Sequence, residues 1–336
     1  DTSTIAVITA MRKGLSTPET CLKKALNDLT FQGTIRAIAL GKAAGPCMKA
    51  IHDTLGSQIT ASLSVGKHGD TLGPDSITGA HPIPDSFKPY KTLVNFLKAG
   101  HKNELLLTVV SGGTTSIISA PDPKLTQTLN LAYPLELFRE DMNTIVKAGL
   151  DIENQNNVRN LVSGTGLGRL LTHVTQNQIE SFVVSDVLGE KMSPTLEMET
   201  VGSGPFINGN RHFNDVIAMM KAQKLWAKVS DVFKSYALER AIQAPLITSH
   251  RVNSHIIDNS ELAHERMVHV LEQEGYAVAI SPQLVLGDPR DEAKAIIRIS
   301  KELFPTLNGK KKIILFRGEP VPRFDLGPIL SHHQGG

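Results

Sequence analysis

Cysteine is scarce in this sequence, with only Cys21 and Cys47 among 336 residues. Two thiols cannot form a disulfide framework or a thiolate metal cage, because both need several cysteines at characteristic spacings. An excess of charge is also lacking, since 35 Lys and Arg residues face 33 Asp and Glu residues, which disfavours nucleic-acid or membrane partners bound through bulk electrostatics. No stretch approaches the roughly 20 apolar residues of a membrane span. We therefore expect a cytoplasmic protein.

The apolar content of 40% allows a large core, and the length suggests two domains. Short runs of Val, Ile and Leu are followed by Gly-bearing turns and then by longer segments with helical periodicity. This pattern is typical of an α/β fold with buried parallel strands. The predicted strands are Ile35–Leu40, Ile59–Val65, Leu105–Val110, Phe182–Val184, Val252–Ile257, Ala277–Ile280 and Lys312–Phe316.

Two helices are predicted from apolar side chains at three- and four-residue steps, over Asp288–Phe304 and Asn259–Glu274. The stretch Glu190–Asn210 is rich in Gly, Pro and Asn, which predicts a long loop. A helical region then ends at an Ala-Pro pair, and a strand–helix–strand series begins. We expect a boundary there, between domains 1–244 and 245–336.

Three Gly-bearing turns directly follow predicted strands. The carboxyl ends of parallel strands share one sheet edge, where open α/β folds bind ligands, so these turns should converge. In the first, Leu40–Gly45, Gly41 allows the backbone to approach a ligand and Lys42 supplies a cation that could neutralise a phosphoryl group. A tight strand-to-helix turn with a solvated lysine is an equally open interpretation.

The second turn, Ser111–Ser116, offers successive backbone N–H groups and several hydroxyls near a helix start. Such a turn is physically an anion nest. It lacks the lysine of a P-loop, and a Ser-Gly-Gly turn also serves as a plain helix cap.

The third turn, Gly79–Asp85, has no obvious strand before it. Its two prolines stiffen the loop and could hold His81 and Asp85 in fixed directions. That rigidity suits the wall of a site, although a lone histidine is more often structural than catalytic.

The fourth turn begins at Ser185, and Asp186 closes an apolar strand there. A carboxylate in that place can hold Mg²⁺ or accept a hydroxyl proton, or it can cap the next helix. Between the second and fourth turns lies Val158–Leu170, which contains two arginines. Its Gly-x-Gly-x-Gly does not follow a buried strand cleanly, so we discount a dinucleotide site.

The order of these motifs resembles the class II glycerate kinases, also called glycerate 2-kinases, of the MOFRL type. The matching segments are Leu40–Ala43, His81–Asp85, Ser111–Gly113, Val158–Leu170, Ser185–Gly189 and Ser203–Pro205, with weaker matches at Asp258–Asn259 and Gly318–Pro320. Six short motifs in the right order are far more specific than any one of them.

The resemblance implies two α/β domains, the first a Rossmann-like three-layer sandwich with a mostly parallel sheet and the second MOFRL-like. It also implies transfer of the γ-phosphoryl group of ATP to the 2-hydroxyl of D-glycerate or a related sugar acid, with Mg²⁺. On this hypothesis Lys42 and Asp186 are catalytic and Asp186 is also the metal ligand. Asn259 and Glu319 are candidates for cofactor binding. The candidate substrate- and phosphate-binding residues are Gly41, His81, Asp85, Ser111, Gly112, Gly113, Thr114, Arg159, Arg169, Ser203 and Gly204.

The chain departs from the family pattern in two places. Asn160–Leu161 stands where the family has Lys-His, and Gly166–Gly168 stands where it has Lys-Gly-Gly. Little similarity remains after Pro320, so we expect the second domain to be incomplete at its C-terminus.

These departures keep a second hypothesis open, a non-catalytic protein that binds a sugar acid or its phosphate. A hydroxypyruvate or tartronate reductase ranks third, because no well-placed nicotinamide fingerprint is present. The expected partners are small molecules, with no nucleic acid and no membrane, and a homodimer is the candidate assembly.

Overall fold

The computed structural model describes residues 7–8, 11–12, 15–187, 192–207, 209, 212–244, 246, 248–309 and 311–320. These divide into two compact units. The larger contains 17–187 and 192–259, and the smaller contains 260–320 and N-terminal residues up to Ser16. No helix in this part of the chain has both the length and the apolar character that a membrane span requires.

The larger unit is built on a six-stranded parallel sheet in the order β3-β2-β1-β4-β5-β6. Because all strands run the same way, their carboxyl ends meet at one edge. The strands are β1 (Ile35–Leu40), β2 (Ile59–Lys67), β3 (Ser76–Gly79), β4 (Leu105–Ser111), β5 (Gln178–Val184) and β6 (Arg251–Asp258).

Both faces of the central strands are buried. On β1, Ile38 and Leu40 belong to one apolar cluster, and Ala37 and Ala39 belong to another. Alternate side chains of a strand point to opposite faces, so each cluster covers one face of the sheet. The sheet therefore lies between two layers, as in the predicted three-layer sandwich.

The helices of the larger unit supply these layers and a third apolar cluster. In chain order they are α1 (Pro18–Asn27), α2 (Ala44–Leu55), α3 (Lys88–Lys98), α4 (Thr114–Ile117), α5 (Pro123–Leu129), α6 (Leu135–Val146), α7 (Ile152–Asn160), α8 (Pro194–Thr200), α9 (Phe213–Ala222) and α10 (Asp231–Ile242). Helices α1 and α2 contribute to the Ala37 face, and α3 contributes to the Ile38 face.

The third cluster joins α5, α6, α7, α9 and α10 around fully buried aromatic side chains. Within it, the carboxylate of Asp141 accepts hydrogen bonds from the Tyr133 hydroxyl and from Ser230, whose backbone N–H lies 2.8 Å away and whose Oγ lies 2.6 Å away. Buried carboxylates are costly unless they are hydrogen-bonded, and this one has three donors. Ser230 also caps α10.

The smaller unit has a parallel pair of strands, β7 (Ala277–Val285) and β8 (Lys312–Gly318). Its helices are α11 (Ser260–Gln273) and α12 (Pro289–Leu303). Met267 and Leu271 of α11 form a small core with Leu315 of β8.

The predicted α/β class and the mostly parallel sheet are confirmed, and all seven predicted strands are present. The two helices predicted individually correspond to α11 and α12. The strand β3 went unnoticed in the sequence, so the third turn does follow a strand, contrary to the sequence analysis. This strand is short and contributes only Ile77 as a large apolar side chain.

Two further expectations differ from the structure. The strand predicted at 252–257 was placed in the second domain, but as β6 it pairs with β5 in the first sheet. The C-terminal segment of the smaller unit begins at Ser260, and the unit also includes N-terminal residues up to Ser16. The loop predicted over 190–210 contains α8, because Ser193 caps that helix. Positions 190, 191, 208 and 210 of that stretch lie outside the described residues.

Phe138→Ala should lower the free energy of unfolding by about 3–5 kcal/mol. Phe138 is fully buried, and its ring contacts Phe87 and Tyr133 edge to face. Urea denaturation followed by circular dichroism measures the change. Leu238→Ala is the control, since Leu238 is 53% exposed and its loss should cost no more than about 0.5 kcal/mol. Equal losses in both variants would contradict this packing.

Candidate functional site

The turns after β1 and β4 are bound directly to each other. The backbone N–H of Lys42 donates to Gly112 O at 2.9 Å. Next to it, the N–H of Ala43 donates to Ser111 Oγ at 3.0 Å, and that hydroxyl donates to Leu40 O at 2.8 Å. The expected convergence of these two turns is therefore present at the level of the backbone.

Two glycines mark the close approach of the chains: position 41 requires glycine, and a side chain at 112 would displace the Asp186 carboxylate. A Cβ on Gly41 would lie 2.5 Å from Ser111 O, and Gly41 has a positive φ of 96°. A Cβ on Gly112 would lie 1.9 Å from Asp186 Oδ2. Asp186, at the end of β5, is thus brought against the β4 turn.

Lys42 and Asp186 form a loose pair, with Nζ 3.7 Å from Oδ2 and side chains 53% and 57% exposed. Exposed ion pairs add little stability, so both groups stay available to a ligand.

His81 lies beside Lys42. A Cβ on Gly113 would be 3.2 Å from Lys42 Cγ and 3.3 Å from His81 Cδ2, so both side chains adjoin this glycine. Burial lowers the pKa of His81, and the positive charges of Lys42, Arg159 and Lys67 lower it further, whereas Asp186 opposes them. The ring is therefore neutral at pH 7. We call Lys42, Lys67, His81, Arg159 and Asp186 the cationic cluster.

Arg159 is a buried cation without a counter-charge. It lies in the last turn of α7 and is 5% exposed. Its guanidinium makes no hydrogen bond or ion pair within the described part of the chain, and burial lowers its pKa to about 10. Since burying an unpaired charge is expensive, such an arginine is suited to an anionic ligand.

The turn after β4 adds backbone donors to the cluster. The N–H groups of residues 112–115 make no hydrogen bond among the described residues. Thr114 Oγ1 donates back to Ser111 O at 2.7 Å and holds the turn in shape. Thr114 is fully buried and Gly113 alone of these four residues is partly exposed, so an anion can approach the turn at Gly113.

Asp85 and His68 brace the loop that carries His81. Asp85 Oδ2 lies 2.7 Å from His68 Nε2, and His68 Nδ1 lies 2.8 Å from Thr78 Oγ1. The hydrogen bond with His68 is the largest cause of the lowered pKa of Asp85, and the backbone N–H of Ala80 also contributes. Asp85 is therefore engaged in holding its loop.

Ser203 and Gly204 connect the β4 turn to the arginine segment. Ser203 Oγ lies 3.0 Å from Thr115 Oγ1. The carbonyl of Ser203 accepts the N–H of Leu167 at 2.7 Å, and that of Gly204 accepts the N–H of Gly168 at 2.9 Å. These contacts are structural, and a ligand contact for the two residues stays a prediction.

The departure from the family pattern at Gly166 is explained by its neighbour. A Cβ on Gly166 would lie 2.0 Å from Asn160 Oδ1. The family has lysine at the positions of both residues, whereas here the amide of Asn160 occupies the space that a side chain at 166 would need.

Arg169 does not join the cationic cluster. Its Nε lies 3.6 Å from Asp122 Oδ2, an oxygen that also accepts a hydrogen bond from Arg240 Nη2 at 2.6 Å. The two arginines of the segment 158–170, predicted as alternatives for one site, therefore belong to different clusters.

The remaining predicted residues are less informative. Asn259 follows β6, and its Nδ2 donates to both carboxylate oxygens of Glu197 at 3.2 Å. Glu319 is exposed after β8 in the smaller unit. Their role in cofactor binding stays a prediction, and Gly189 lies outside the described residues.

The carboxylate of Asp186 fits a metal that arrives with its ligand. No group of three or more His, Cys, Asp or Glu side chains in the described ranges is placed to hold a metal. Mg²⁺ is usually held by one or two carboxylates together with substrate phosphates. A single half-exposed carboxylate beside free N–H groups meets that requirement.

The sequence analysis missed Lys67 and His68. Both lie at the end of β2 or directly after it, at the same sheet edge as the other turns. A polar residue that directly follows a buried strand was the signal that pointed to Lys42 and Asp186, and it would have found these two residues as well.

Fold and site together define an α/β protein whose parallel sheet brings Lys42, His81 and Asp186 to one edge. A family model described as a domain of unknown function, DUF4147, matches residues 4–237. The chain belongs to this family.

Two relatives confirm the resemblance to the glycerate 2-kinases. The D-glycerate 2-kinase of Thermotoga maritima is 25% identical over 312 residues, which cover 90% of this chain and 70% of that protein. The glycerate 2-kinase of Pyrococcus horikoshii is 23% identical over 284 residues, which cover 82% of this chain and 61% of that protein. The chain thus spans about two thirds of the length of these relatives.

Solved structures support the fold. Superposition on the crystal structure of a glycerate kinase from Thermotoga maritima gives a TM-score of 0.75 at 24% identity. The aligned residues cover 94% of this chain and 73% of the Thermotoga chain. A protein from Pyrococcus horikoshii has a TM-score of 0.72 at 21% identity, with 96% and 74% covered.

Lys42→Met should raise the pKa of His81 towards its usual value of 6.5, because the variant removes a nearby positive charge. Asp186→Asn should lower it, because a nearby negative charge is lost. Proton NMR of the imidazole C–H groups over pH 4–9 measures both shifts. Lys228→Met, which removes an exposed lysine outside the cluster, is the control. A His81 pKa that is the same in all three variants would show that the cluster does not form.

Proposed function

We propose that this chain transfers the γ-phosphoryl group of ATP to the 2-hydroxyl of D-glycerate or a related sugar acid, as a glycerate 2-kinase. The observation that carries the proposal is the buried guanidinium of Arg159, which has no partner among the described residues and whose charge lowers the pKa of His81, the neighbour of Lys42. The named activity of the relatives is consistent with it, and they give no support to the binding-protein or reductase alternatives.

Phosphoryl transfer depends on in-line positioning and on cancellation of negative charge, more than on a strong base. The cationic cluster offers both. Arg159 binds the carboxylate of the acid, since a guanidinium matches a carboxylate with two parallel hydrogen bonds. The β4 turn meets the phosphate oxygens at Gly113, its partly exposed residue, and Lys42 neutralises charge on the transferred group.

The neutral ring of His81 can accept a hydrogen bond from the 2-hydroxyl without adding repulsion between cations. Asp186 is the carboxylate that orients this hydroxyl or holds Mg²⁺. When bound, Mg²⁺ would supply further charge neutralisation on the phosphate oxygens. Asp85 and His68 act indirectly by fixing the loop that carries His81.

Lys42→Met should lower kcat by about 10²-fold or more, because a preorganised charge partner of the transferred group is lost. A coupled ATP-consumption assay across glycerate, erythronate and tartronate measures this and identifies the preferred acid. Lys228→Met is the matched control and should behave as wild type. Wild-type turnover in Lys42→Met would remove Lys42 from the mechanism.

A protein that binds glycerate but neither binds nor consumes Mg·ATP would favour the binding-protein alternative.

Arg159→Met should raise the KM for the sugar acid by about 10- to 100-fold, the equivalent of a charge-assisted hydrogen bond worth about 1.5–3 kcal/mol. The same variant should keep or raise the melting temperature, because the lost charge had no partner to stabilise it. Steady-state kinetics and thermal denaturation measure the two effects.

Arg240→Met is the contrast for Arg159→Met, since Arg240 is paired with Asp122. Breaking a buried pair is strongly destabilising, so this variant should lose about 3 kcal/mol. A comparable loss in Arg159→Met would show that Arg159 has a structural role instead.

A further inference from the structure

The larger unit contains a second concave region, with a volume of about 1070 Å³. Its described lining residues include Asp122, Arg169 and Arg240 and do not include Lys42, Arg159 or any other member of the cationic cluster. We propose that Arg169 and Arg240 form a second anion-binding site here, which holds a small molecule through a carboxylate or phosphate group. This inference does not rest on the proposed function.

The charge in this region is not balanced. Asp122 Oδ2 pairs with Arg240 Nη2 at 2.6 Å and with Arg169 Nε at 3.6 Å, and the three side chains are between 6% and 11% exposed. The other oxygen of Asp122 accepts the backbone N–H of Lys124 at 2.8 Å and caps α5. One carboxylate therefore faces two guanidinium groups. A buried charge without compensation is costly, and a bound anion would supply the missing negative charge.

Arg169 also has unused donors. Its Nη1 donates to Gly166 O at 2.8 Å, but Nε and Nη2 make no hydrogen bond in the described part of the molecule. The Nε of Arg240 is likewise buried and unpartnered. The Cζ atom of Arg169 lies 5.6 Å from the centroid of the Phe213 ring. The Nε atoms of both arginines are shielded from solvent, so Nη2 of Arg169 is the unused donor that an anion in this region can reach, and a guanidinium N–H suits a carboxylate or phosphate oxygen.

The electrostatics agree with this geometry. Burial and the neighbouring Arg240 lower the pKa of Arg169 to about 9, and Asp122 acts in the opposite direction. A bound anion would raise the pKa of Arg169, as Asp122 does, and would bring it back towards the ordinary value of an arginine.

The rest of the lining limits what can bind. Lys98 and Lys124, both exposed, add positive charge, whereas Asp215 and Glu239 add negative charge. Phe213 and several aliphatic residues give the region an apolar part. The volume lies at the upper end for small-molecule sites, so there is room for a molecule larger than a lone ion.

Isothermal titration calorimetry in a background that combines Lys42→Met with Arg159→Met tests the proposal, because this background removes both cationic side chains that are proposed to bind anions in the cationic cluster. Inorganic phosphate and succinate are the probes, and whichever binds more tightly identifies the preferred group. We expect one bound probe per chain and at least tenfold weaker binding when Arg169→Gln is added. Absence of binding by both probes at millimolar concentration would overturn the proposal, and so would unchanged binding after Arg169→Gln.

Lys124→Gln keeps the test decisive if Arg169→Gln does not fold. Lys124 is exposed and its side chain makes no contact on which the fold depends, so Lys124→Gln should leave the stability of the protein unchanged. Removal of its positive charge should weaken binding of the probe about threefold. Lys228→Gln, an equally exposed lysine outside the region, should leave binding unchanged. Equal affinities in the two lysine variants would refute the site. Because calorimetry with these probes involves no turnover, failure here is distinct from failure of the kinase proposal.

Discussion

The contact between the turns after β1 and β4 is the constraint on which the site depends. Two backbone donors from residues 42 and 43 bind the β4 turn, and this close contact requires glycine at position 41. It fixes the start of α2 against the start of α4. The position of Lys42 beside the β4 turn follows from this backbone contact.

A different principle governs Arg159. The backbone contacts of the turns stabilise the fold and shape the site at once, whereas an unpaired buried guanidinium is a cost to the folded state that only a ligand can offset. The neighbouring histidine is kept neutral by the same excess of positive charge. The protein thus places strained electrostatics next to a rigid backbone frame, which is how binding sites commonly combine precision with affinity for charge.

Sequence patterns captured the strands of the sheet because a buried parallel strand is a continuous apolar run with clear ends. They did not reveal which strands are neighbours, and this is why the pairing of β6 with β5 was not expected. The short edge strand β3 carries too little apolar sequence to be recognised. Within the site, the turns were found because strand ends converge. The separation of Arg159 from Arg169 was not, since it depends on Asp122 and Arg240, which come from distant parts of the chain.

The pair formed by Asn160 and Gly166 has an evolutionary consequence. Because the amide of one residue fills the space beside the other, the two positions cannot drift independently. A side chain at 166 would require the Asn160 amide to move or to be replaced, so the effect of a substitution at one position depends on the residue at the other.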